Sequence, residues 1–360
     1  MTKAHQIALV GCGDVAHRDY LPEFYRLSER AELVGVCGLS RTRAERTAAE
    51  YGITHVFDDL PDLLANTDAT IVMNLTPLRI HDEINLAIVR SGRHLYSEKT
   101  LASSAKRAGE LRDLAEEHGT TIITAPCTMV WPQLQIARSI MPDLGIVQSA
   151  RGRGFGGVPP WPGFQSNPTP FFEHGAGPHR DLGIYPIHAL IGLLGRARTV
   201  SAFSARARET FDITDGDFQG MTVMMEEDDT WLISIVHESG ALSSIETNFS
   251  AVTSRAPELE VFGTKGTMAL SLLEGSDPVS VSLADDEGAW RNIAVENHRE
   301  SGPDHIMGVE HLLDVLDGKL DPVLRIEDAV HALEILDAAI NSASVGHAVH
   351  VYEPKSTTGR

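Results

Sequence analysis

The stretch IALVGCGDVA, residues 7–16, joins a short apolar run to a turn with the pattern G-x-G-x-x-A. The apolar run is typical of a buried strand, and the residues after it have the apolar spacing of a helix. In such a unit Gly11 allows the tight turn, Gly13 lets the main chain approach a pyrophosphate, and Ala16 permits close packing. The phosphates are expected at the start of the helix. The residues predicted to line this dinucleotide site are Gly11, Gly13, Asp14 and Val15.

The rest of the first 126 residues repeats the alternation of strand and helix. β-prone runs such as ATIVMNLTP, HLYSEK and TIITAP are separated by stretches with helical apolar spacing, such as RIHDEINLAIVRSG. This alternation is typical of a doubly wound parallel sheet with right-handed crossovers. We therefore predict an α/β Rossmann domain over residues 1–126.

The end of the second predicted strand, ELVGVCGLSR, bears on the choice of cofactor. An acidic residue is expected there to bind the ribose hydroxyls of NAD, but the sequence has Gly38. Ser40, Arg41 and Arg43 follow, and a hydroxyl and a guanidinium suit a 2′-phosphate. This predicts NADP as the preferred cofactor, with NAD as the alternative, and Ser40 and Arg41 as its ligands. The other interpretation is that Arg41 and Arg43 are solvated residues that open the next helix.

Composition excludes several classes of protein. The formal net charge of −20 at pH 7 argues against nucleic-acid binding, because phosphate binding needs a basic face. No apolar run approaches the ~20 residues that cross a bilayer, and the opening MTKAHQ lacks the apolar core of a signal peptide. We expect a cytoplasmic protein that binds neither membranes nor nucleic acid.

From about residue 199 the pattern changes to consecutive strands with glycine-marked turns, which favours an antiparallel sheet. The last long amphipathic stretch, residues 305–345, predicts core helices. We expect an α+β substrate-binding and oligomerisation domain over residues 127–353, with the helices of 305–345 packing back on the first domain. Residues 354–360 are predicted to form a disordered tail.

Residues 151–172 are rich in glycine, proline and aromatic residues. A long irregular stretch inside a compact chain is usually a functional loop. Its Trp161, Phe171 and Phe172 either form apolar walls for a sugar ring or anchor the loop itself, and Trp131 has the same two interpretations.

Three motifs occur in a fixed order: GCGDVA, then NLTPLRIH at residues 74–81, then RSGRHLYSEKTLA at residues 90–102. Together they resemble the Gfo/Idh/MocA oxidoreductase family, whose pattern is G-x-G-x-x-[GA], T-P-x-x-x-H and a closing E-K-P. The downstream stretches GAGPHRDLGIYPIHALIGLLG and VFGTKGTMAL also match, as do the closing helical residues, so the resemblance covers essentially the whole chain. The cofactor contacts that it implies are Thr76, Pro77, His81 and Glu98.

By this resemblance Lys99 is the catalytic lysine of the family, at the carboxyl end of a sheet strand where such sheets bind ligands. A cation there can bind a substrate hydroxyl and stabilise the alkoxide that forms as hydride leaves. Thr100 stands where the family has proline. The simpler interpretation of Lys99 is an exposed lysine paired with Glu98.

The stretch HRDLGIYPIH spaces Asp181 and Tyr185 four residues apart, so on one helix they share a face, with His188 one turn further. The tyrosine resembles that of tyrosine-type members such as glucose–fructose oxidoreductase and the dihydrodiol and aldose dehydrogenases. We predict Tyr185 as the acid/base, with a pKa lowered by Lys99, and Asp181 as an acceptor for substrate hydroxyls. His188 is predicted to point into the same cavity.

The remaining candidates are weaker. Each histidine alone is more often a packed residue than a ligand, and no H-x-x-H or H-x-x-x-H helix predicts a metal site. Three cysteines without metal-ligand spacing predict small buried residues and no disulfide. The further residues predicted as substrate contacts are His179, Trp161 and Thr128.

The resemblance also implies a large open sheet with helices on one face. Its uncovered face is expected to carry Ile233, Ile235 and Ile245, and a sheet face of that size is usually buried by another subunit. We therefore expect a homodimer or a homotetramer.

The function that the resemblance implies is NAD(P)-dependent hydride transfer at a secondary alcohol or aldehyde carbon of a sugar, polyol or similar carbohydrate-like molecule. One alternative is cleavage of a sugar bond by transient oxidation and elimination, in which the cofactor is regenerated in place. Another is a dinucleotide-sensing regulator without turnover, although such a protein has no need of Lys99, Asp181 and Tyr185.

Overall fold

The computed structural model describes residues 4–155, 159, 164, 166–214, 216–251, 253–299 and 302–351. Two large sheets dominate this part of the chain, one from the first third and one from the remainder. The Trp161 side chain and the tail 354–360, for which predictions were made, lie outside the described residues. No helix among the described residues is both long and apolar enough to cross a membrane.

The first sheet has six parallel strands in the order β3-β2-β1-β4-β5-β6. The predicted doubly wound parallel sheet is confirmed. The order reverses between β1 and β4, so the loops after these two strands open into one crevice, where such sheets bind ligands. The strands are β1 His5–Val10, β2 Ala31–Cys37, β3 His55–Val56, β4 Ile71–Asn74, β5 His94–Ser97 and β6 Ile122–Thr124.

The helix predicted after the glycine turn is not a regular α-helix. Ala16–Tyr20 form a π-helical turn, and Leu21–Leu27 form a 3-10 helix. Pro22 lies at the junction and has no N–H to donate, which favours a break in the hydrogen-bond pattern there. The α-helices of this half are α1 Arg41–Tyr51, α2 Leu60–Asn66, α3 His81–Arg90 and α4 Ala105–His118.

The second sheet has nine strands in the order β16-β15-β14-β13-β7-β12-β11-β8-β17, and only β7 and β12 pair in parallel. The predicted mainly antiparallel sheet is confirmed. Its strands are β7 Val147–Gly154, β8 Ala197–Ala205, β11 Thr230–His237, β12 Leu242–Asn248, β13 Leu259–Gly263, β14 Gly266–Leu270, β15 Val279–Leu283, β16 Arg291–Ile293 and β17 Val349–His350; β9 Thr210–Asp212 and β10 Thr222–Met224 form a separate pair. Strand β7 occupies the beginning of the segment predicted as a loop.

Helices cover one face of this sheet, as the resemblance implied. They are α5 Pro132–Ile140, α6 Pro178–Asp181, α7 Ile184–Leu194 and α9 Ile326–Val345, whereas α8 Ile306–Leu316 packs on the first sheet. The prediction for the uncovered face was wrong, because Ile233, Ile235 and Ile245 are buried in the main core. Side chains alternate along a strand, so the open face instead carries Phe203 and Leu232, which are paired across β8 and β11.

The closing helices connect the two sheets. Helix α9 contacts both α4 and β8, and α8 contacts β5 and β6. The Asp337 carboxylate of α9 accepts the N–H of Ala105 at the start of α4. These contacts bring the segment before α8 to the carboxyl ends of β1, β4 and β5. The cysteines Cys12, Cys37 and Cys127 are buried with free thiols, as predicted.

Candidate active site

The turn after β1 is shaped for close approach of a ligand to the main chain. Gly11 has φ +96°, and a Cβ there would lie 2.8 Å from the Leu75 carbonyl oxygen, so a larger residue is excluded. A Cβ at Gly13 would lie 3.3 Å from the Ser166 hydroxyl, which accepts the N–H of Asp14 at 3.0 Å. The observed turn therefore fits the pyrophosphate of a dinucleotide.

A cavity of about 520 Å³ lies at the carboxyl ends of β1, β4 and β5, and its size is usual for a ligand site. Six of the predicted cofactor residues line it: Gly13, Asp14, Val15, Thr76, Pro77 and Glu98. The three residues predicted to be catalytic line it as well: Lys99, Asp181 and Tyr185.

Lys99 follows β5, and its ammonium is bound by Asp181. Nζ donates to the Asp181 carboxylate and, at 3.0 Å, to the Asp181 main-chain carbonyl. The alternative of an exposed lysine paired with Glu98 is wrong, because the side chain is 17% exposed and its partner is Asp181. The second carboxylate oxygen of Asp181, Oδ2, is buried without a hydrogen-bond partner in the described part of the chain.

Glu98 holds the main chain of Lys99 in place through hydrogen bonds. Its carboxylate accepts the main-chain N–H of Lys99 at 3.0 Å and the hydroxyl of Tyr20 at 2.5 Å. The Tyr20 and Tyr96 hydroxyls are 3.1 Å apart. Burial raises the pKa of Tyr20 well above its ordinary value, and Glu98 raises it further. Tyr20 therefore remains a hydrogen-bond donor that holds Glu98, and through Glu98 the Lys99 main chain.

Tyr185 lies in the first turn of α7, with its ring stacked on Trp131 at a centroid distance of 6.1 Å. The Lys99 ammonium is 5.8 Å from the same ring. Burial raises the pKa of Tyr185 well above its ordinary value, and the carboxylates of Glu98 and Asp181 raise it further. The prediction that Lys99 lowers this pKa was wrong, because Asp181 neutralises the ammonium. Tyr185 therefore stays protonated near neutral pH and keeps an O–H to donate.

Asp181 and Tyr185 share the cavity for a different reason from the predicted one. Asp181 ends the short helix α6, whereas α7 begins at Ile184. A Cβ at Gly183 would lie 2.5 Å from the His179 carbonyl oxygen, so the chain between the two helices is tightly packed. The bend between two helices, and not a shared helical face, directs both side chains to Lys99.

His81, predicted as a cofactor contact, is fully buried and does not line the cavity. Its Nδ1 is 2.8 Å from the Thr100 carbonyl oxygen and its Nε2 is 2.8 Å from that of Thr76. Burial lowers the pKa of His81, while the two carbonyls oppose that shift. The ring thus ties the turn after β4 to the turn after Lys99, and its role is to hold the site together.

Three residues predicted as substrate contacts do not reach the cavity. His179 is buried against Trp231, with ring centroids 4.3 Å apart. Thr128 is fully buried at the junction between the two sheets. His188 lines a separate cavity of about 490 Å³ beside Asp328. The pattern of residue types identified polar side chains near the site but not their directions.

The direction of His188 follows from the packing of α7 against α9. Because α6 and α7 are separate helices, the register from Asp181 does not continue to His188. Burial lowers the pKa of His188 to about 4, although Asp328 opposes the shift. The ring is therefore neutral near pH 7.

The aromatic residues were predicted either to form walls for a sugar ring or to anchor the loop, and the described ones do not all behave alike. Phe171 lines the cavity. Phe172 is buried in a small separate core with Phe249, so the wall interpretation is wrong for it. Trp131 is buried, and its Nε1 donates to the Asp304 carbonyl at 2.9 Å, so it anchors the site and supports Tyr185.

Sequence reasoning missed five charged or titratable residues that line the cavity: Arg18, Asp19, Arg180, Glu274 and His305. The Asp14–Arg18 ion pair has the i,i+4 spacing of a helical pair, a signal that was available. Arg180 is buried next to Asp181 and lies 3.4 Å from Asp337. His305 carries no local signal, because it reaches the cavity only through the packing of α8.

The end of β2 fits the cofactor prediction in part. A Cβ at Gly38 would lie 2.9 Å from the Cys12 Sγ, which explains why no acidic residue stands there. Ser40 accepts the N–H of Arg43 and so caps α1. Arg41 is half-exposed and pairs with Glu45 and Asp58, so a phosphate there competes with two carboxylates. Among the described residues no group of three or more His, Cys, Asp or Glu side chains is placed to hold a metal ion.

Comparisons with known proteins match the whole of this architecture. A model described as "Oxidoreductase family, NAD-binding Rossmann fold" (GFO/IDH/MocA) matches residues 5–125, and the GFO/IDH/MocA C-terminal domain matches residues 142–269. The chain is 27% identical over 254 residues to D-glucoside 3-dehydrogenase of Escherichia coli (strain K12), covering 68% of this chain and 70% of that protein. It is 24% identical over 277 residues to scyllo-inositol 2-dehydrogenase (NADP(+)) IolU of Bacillus subtilis (strain 168), covering 74% and 76%.

A solved structure of levoglucosan dehydrogenase in complex with NADH and L-sorbose superposes with a TM-score of 0.86. The alignment covers 98% of this chain and 100% of that chain at 17% identity. At that identity the likeness shows the fold.

Proposed function

The chain belongs to the GFO/IDH/MocA family of oxidoreductases with an NAD-binding Rossmann fold, and on that premise we propose that it is an NAD(P)-dependent dehydrogenase or reductase. The proposed reaction moves a hydride between nicotinamide and a secondary alcohol or aldehyde carbon of a sugar, a polyol or a sugar-like molecule. The observation that carries the proposal is that Lys99, Asp181 and Tyr185 line one cavity together with the glycine turn after β1.

A bound nicotinamide supplies the hydride donor or acceptor, and the residues of this chain supply charge and protons. The Lys99 ammonium stabilises negative charge that develops on the substrate oxygen, since preorganised donors act most strongly where water is excluded. Among the residues that the structure describes, the buried Oδ2 of Asp181 has no hydrogen-bond donor, and a substrate hydroxyl would meet that need. Tyr185, whose raised pKa keeps it protonated, gives its proton to the oxygen in carbonyl reduction.

The substrate class is supported by the names of the relatives. D-glucoside 3-dehydrogenase and scyllo-inositol 2-dehydrogenase both act at ring carbons that carry hydroxyl groups. The cavity contributes the hydroxyl-binding groups that such a ring needs, from Lys99, Asp181 and Tyr185. Fold alone does not select a substrate, so the particular sugar is left to experiment.

We also propose a preference for NADP over NAD. In support, the end of β2 has no carboxylate that would repel a 2′-phosphate, and Ser40 and Arg41 follow at the start of α1. The Gly38 position cannot accept an acidic side chain without displacing Cys12.

The open face of the large sheet supports a homo-oligomer. Phe203 and Leu232 are 68% and 50% exposed and lie side by side on neighbouring strands. Exposed apolar pairs on an open sheet are commonly covered by another subunit. We propose that a second copy of this chain covers them.

The test is nicotinamide absorbance on mixing the protein with NADP⁺ or NAD⁺ and a pooled panel of sugars and polyols, beside Lys99→Met. Net formation of reduced cofactor that the variant lacks supports the proposal. Cofactor that stays oxidised while a glycoside is cleaved contradicts net dehydrogenation and favours transient oxidation with elimination. Nucleotide binding without any conversion favours a dinucleotide-sensing regulator.

A further inference from the structure

His305 is a buried titratable residue in the cavity that the proposed reaction does not yet use. It is 4% exposed and lines the cavity. Its ring lies edge-on to Tyr185 at a centroid distance of 6.3 Å, and to Trp131 at 6.3 Å. The ring of Tyr20 is 5.8 Å away. His305 is therefore a direct neighbour of the proposed acid.

The main chain on both sides of this imidazole is fixed. The Asp304 carbonyl accepts Nε1 of Trp131 at 2.9 Å, and the His305 carbonyl accepts the Tyr96 hydroxyl at 3.2 Å. The same carbonyl accepts the N–H of Gly308 at 3.1 Å in the first turn of α8. The ring position is thus set by the strand β5 and the helix α8 and not by a free loop.

The imidazole has unused hydrogen-bonding capacity. Its Nδ1 is buried without a hydrogen-bond partner among the residues that the structure describes. A buried polar atom without a partner is costly, so a purely structural histidine is a poor explanation of this position. Packing alone would be served as well by phenylalanine.

The charged neighbour of His305 is Asp19. The carboxylate of Asp19 accepts from Arg18 at 2.9 Å and from Arg299 at 3.1 Å. Burial acts to raise the pKa of Asp19, but His305 and Arg18 outweigh it and lower that pKa. The titratable groups that face the imidazole are thus Asp19, Tyr20 and Tyr185.

A proton given up by Tyr185 has to be replaced inside a buried site. The Lys99 ammonium is already bound by Asp181, and Glu98 is occupied by Tyr20 and the Lys99 main chain. Arginine does not exchange its proton at ordinary pH, which excludes Arg18. Histidine is the side chain suited to proton transfer near neutral pH.

We propose that His305 relays protons between Tyr185 and the water of the cavity, an inference that rests on the proposed function. In carbonyl reduction the Tyr185 O–H bond breaks as the substrate O–H bond forms. An N–H bond of the imidazolium then breaks and the Tyr185 O–H bond forms again, directly or through one water. The imidazole regains its proton from water on the side of Asp19. Oxidation of the alcohol runs the same steps in reverse, so no electrons or atoms are left over.

The test is chemical rescue of His305→Ala. We expect kcat to fall by about 10²-fold or more, the usual size of an acid–base contribution, and millimolar imidazole to restore at least about tenfold of it. Rescue should grow with the imidazolium concentration as pH is lowered. His188→Ala, which removes a half-buried histidine from the other cavity, should not respond to imidazole.

A second measurement does not depend on turnover. In protein with ¹⁵N-labelled histidine, the His305 resonances, assigned by their loss in His305→Ala, are expected to shift in Asp19→Asn and in Tyr185→Phe. Histidines distant from the site, such as His331, serve as the internal reference.

Each outcome bears on the relay. Wild-type kcat in His305→Ala, or a loss that His305→Phe restores and imidazole does not, overturns the relay and leaves hydride transfer intact. No turnover by the wild type with any sugar or polyol overturns the proposed function itself, and the relay with it. Imidazole rescue together with the NMR shifts supports both.

Discussion

Lys99 and Asp181 are joined by two contacts, since the lysine ammonium donates both to the carboxylate and, at 3.0 Å, to the main-chain carbonyl of the same aspartate. Lys99 follows β5 of the first sheet, whereas Asp181 ends α6, which packs on β11 and β12 of the second sheet. Asp181 thus holds Lys99 at the carboxyl end of β5. Its carboxylate also neutralises the ammonium charge that would otherwise act on Tyr185. The ion pair therefore decides which residue carries the proton in the proposed reaction.

Lys99→Met should lower kcat by about 10²-fold or more while the protein still binds the dinucleotide, because loss of one oxyanion donor has an effect of that order. The variant leaves the Asp181 carboxylate buried and unpaired, which destabilises the fold by roughly 3–5 kcal/mol. Lys99→Met/Asp181→Asn removes that charge and should regain stability without regaining activity. The measurements are steady-state kinetics, dinucleotide binding and thermal unfolding.

Lys106→Met is the matched control for the lysine variants. Lys106 is exposed on α4 and pairs with the exposed Glu110, so the activity should stay near that of the wild type. Wild-type kcat in Lys99→Met would remove Lys99 from the mechanism.

Tyr185→Phe should lower kcat for carbonyl reduction by about 10²–10⁴-fold. Because burial raises the pKa of Tyr185 well above its ordinary value of about 10, the wild-type tyrosine stays protonated through neutral and mildly alkaline pH. The measurement is the pH profile of the reduction rate. A fall in rate centred below about pH 9 that disappears in Tyr185→Phe would contradict this assignment, and the exposed Tyr25→Phe is the control.

His188→Gln should weaken the dependence of stability on acid. The pKa of His188 is lowered to about 4 in the folded protein, below the ordinary value of about 6.5, so the unfolded chain takes up the proton first. The stability from the neutral ring is present above about pH 6.5 and is lost as pH falls toward 4. Urea unfolding between these values should show the wild type losing about 1–2 kcal/mol more than the variant.

The control for that experiment is His118→Gln, at the exposed end of α4. The stability of this variant should depend on pH as that of the wild type does. If the stability of His188→Gln and of the wild type depends on pH in the same way, the His188 ring has its ordinary pKa in the folded protein.

Arg41→Ala is expected to reduce kcat/KM for NADP by about tenfold, since a charge-assisted hydrogen bond to phosphate is lost, while the value for NAD changes little. Kinetics with both cofactors at one fixed substrate concentration measure the ratio of kcat/KM for NADP to kcat/KM for NAD. Arg46→Ala, exposed on the same helix, should leave the ratio unchanged. Equal losses for both cofactors would assign Arg41 to the stability of α1 through its pairs with Glu45 and Asp58.

Phe203→Glu should dissociate the proposed oligomer, because it puts a charge on the open face of the sheet beside Leu232. Light scattering after size-exclusion chromatography should give a dimer or tetramer mass for the wild type and a monomer mass for the variant. Tyr25→Glu changes an exposed aromatic residue of the first half and should keep the wild-type mass. A monomeric wild type at micromolar concentration would remove the proposal.

The prediction of the fold succeeded where the signal was local. The glycine turn and the apolar runs before and after it led to the parallel sheet, because each depends on neighbouring residues. Strands β3 and β17 were missed, since each has two residues and exists only through its pairing with β2 or β8. The break in the helix at Pro22 was also missed, although the proline was a local signal for it.

Part of the predicted site lies together in one cavity, and the roles of its residues stay predictions. Lys99, Asp181 and Tyr185 line one cavity, although the shared helix that was to join the last two does not exist. His81 and His188 were placed by their position in a motif, and their directions were wrong for a ligand. Direction depends on which element packs against the side chain, and a linear pattern does not contain that information.

By itself, the sequence determined the two sheets and the glycine turn, because periodicity and glycine conformation are properties of consecutive residues. The role predicted for Lys99 came from the resemblance of its motif to the family. Only the tertiary structure decided the protonation of Tyr185 and the assignment of Asp181 as the partner of Lys99. It also decided that His305 meets Tyr185, although 120 residues separate them along the chain. These relations depend on burial and on contacts between distant segments, and both exist only once α8 has packed on β5.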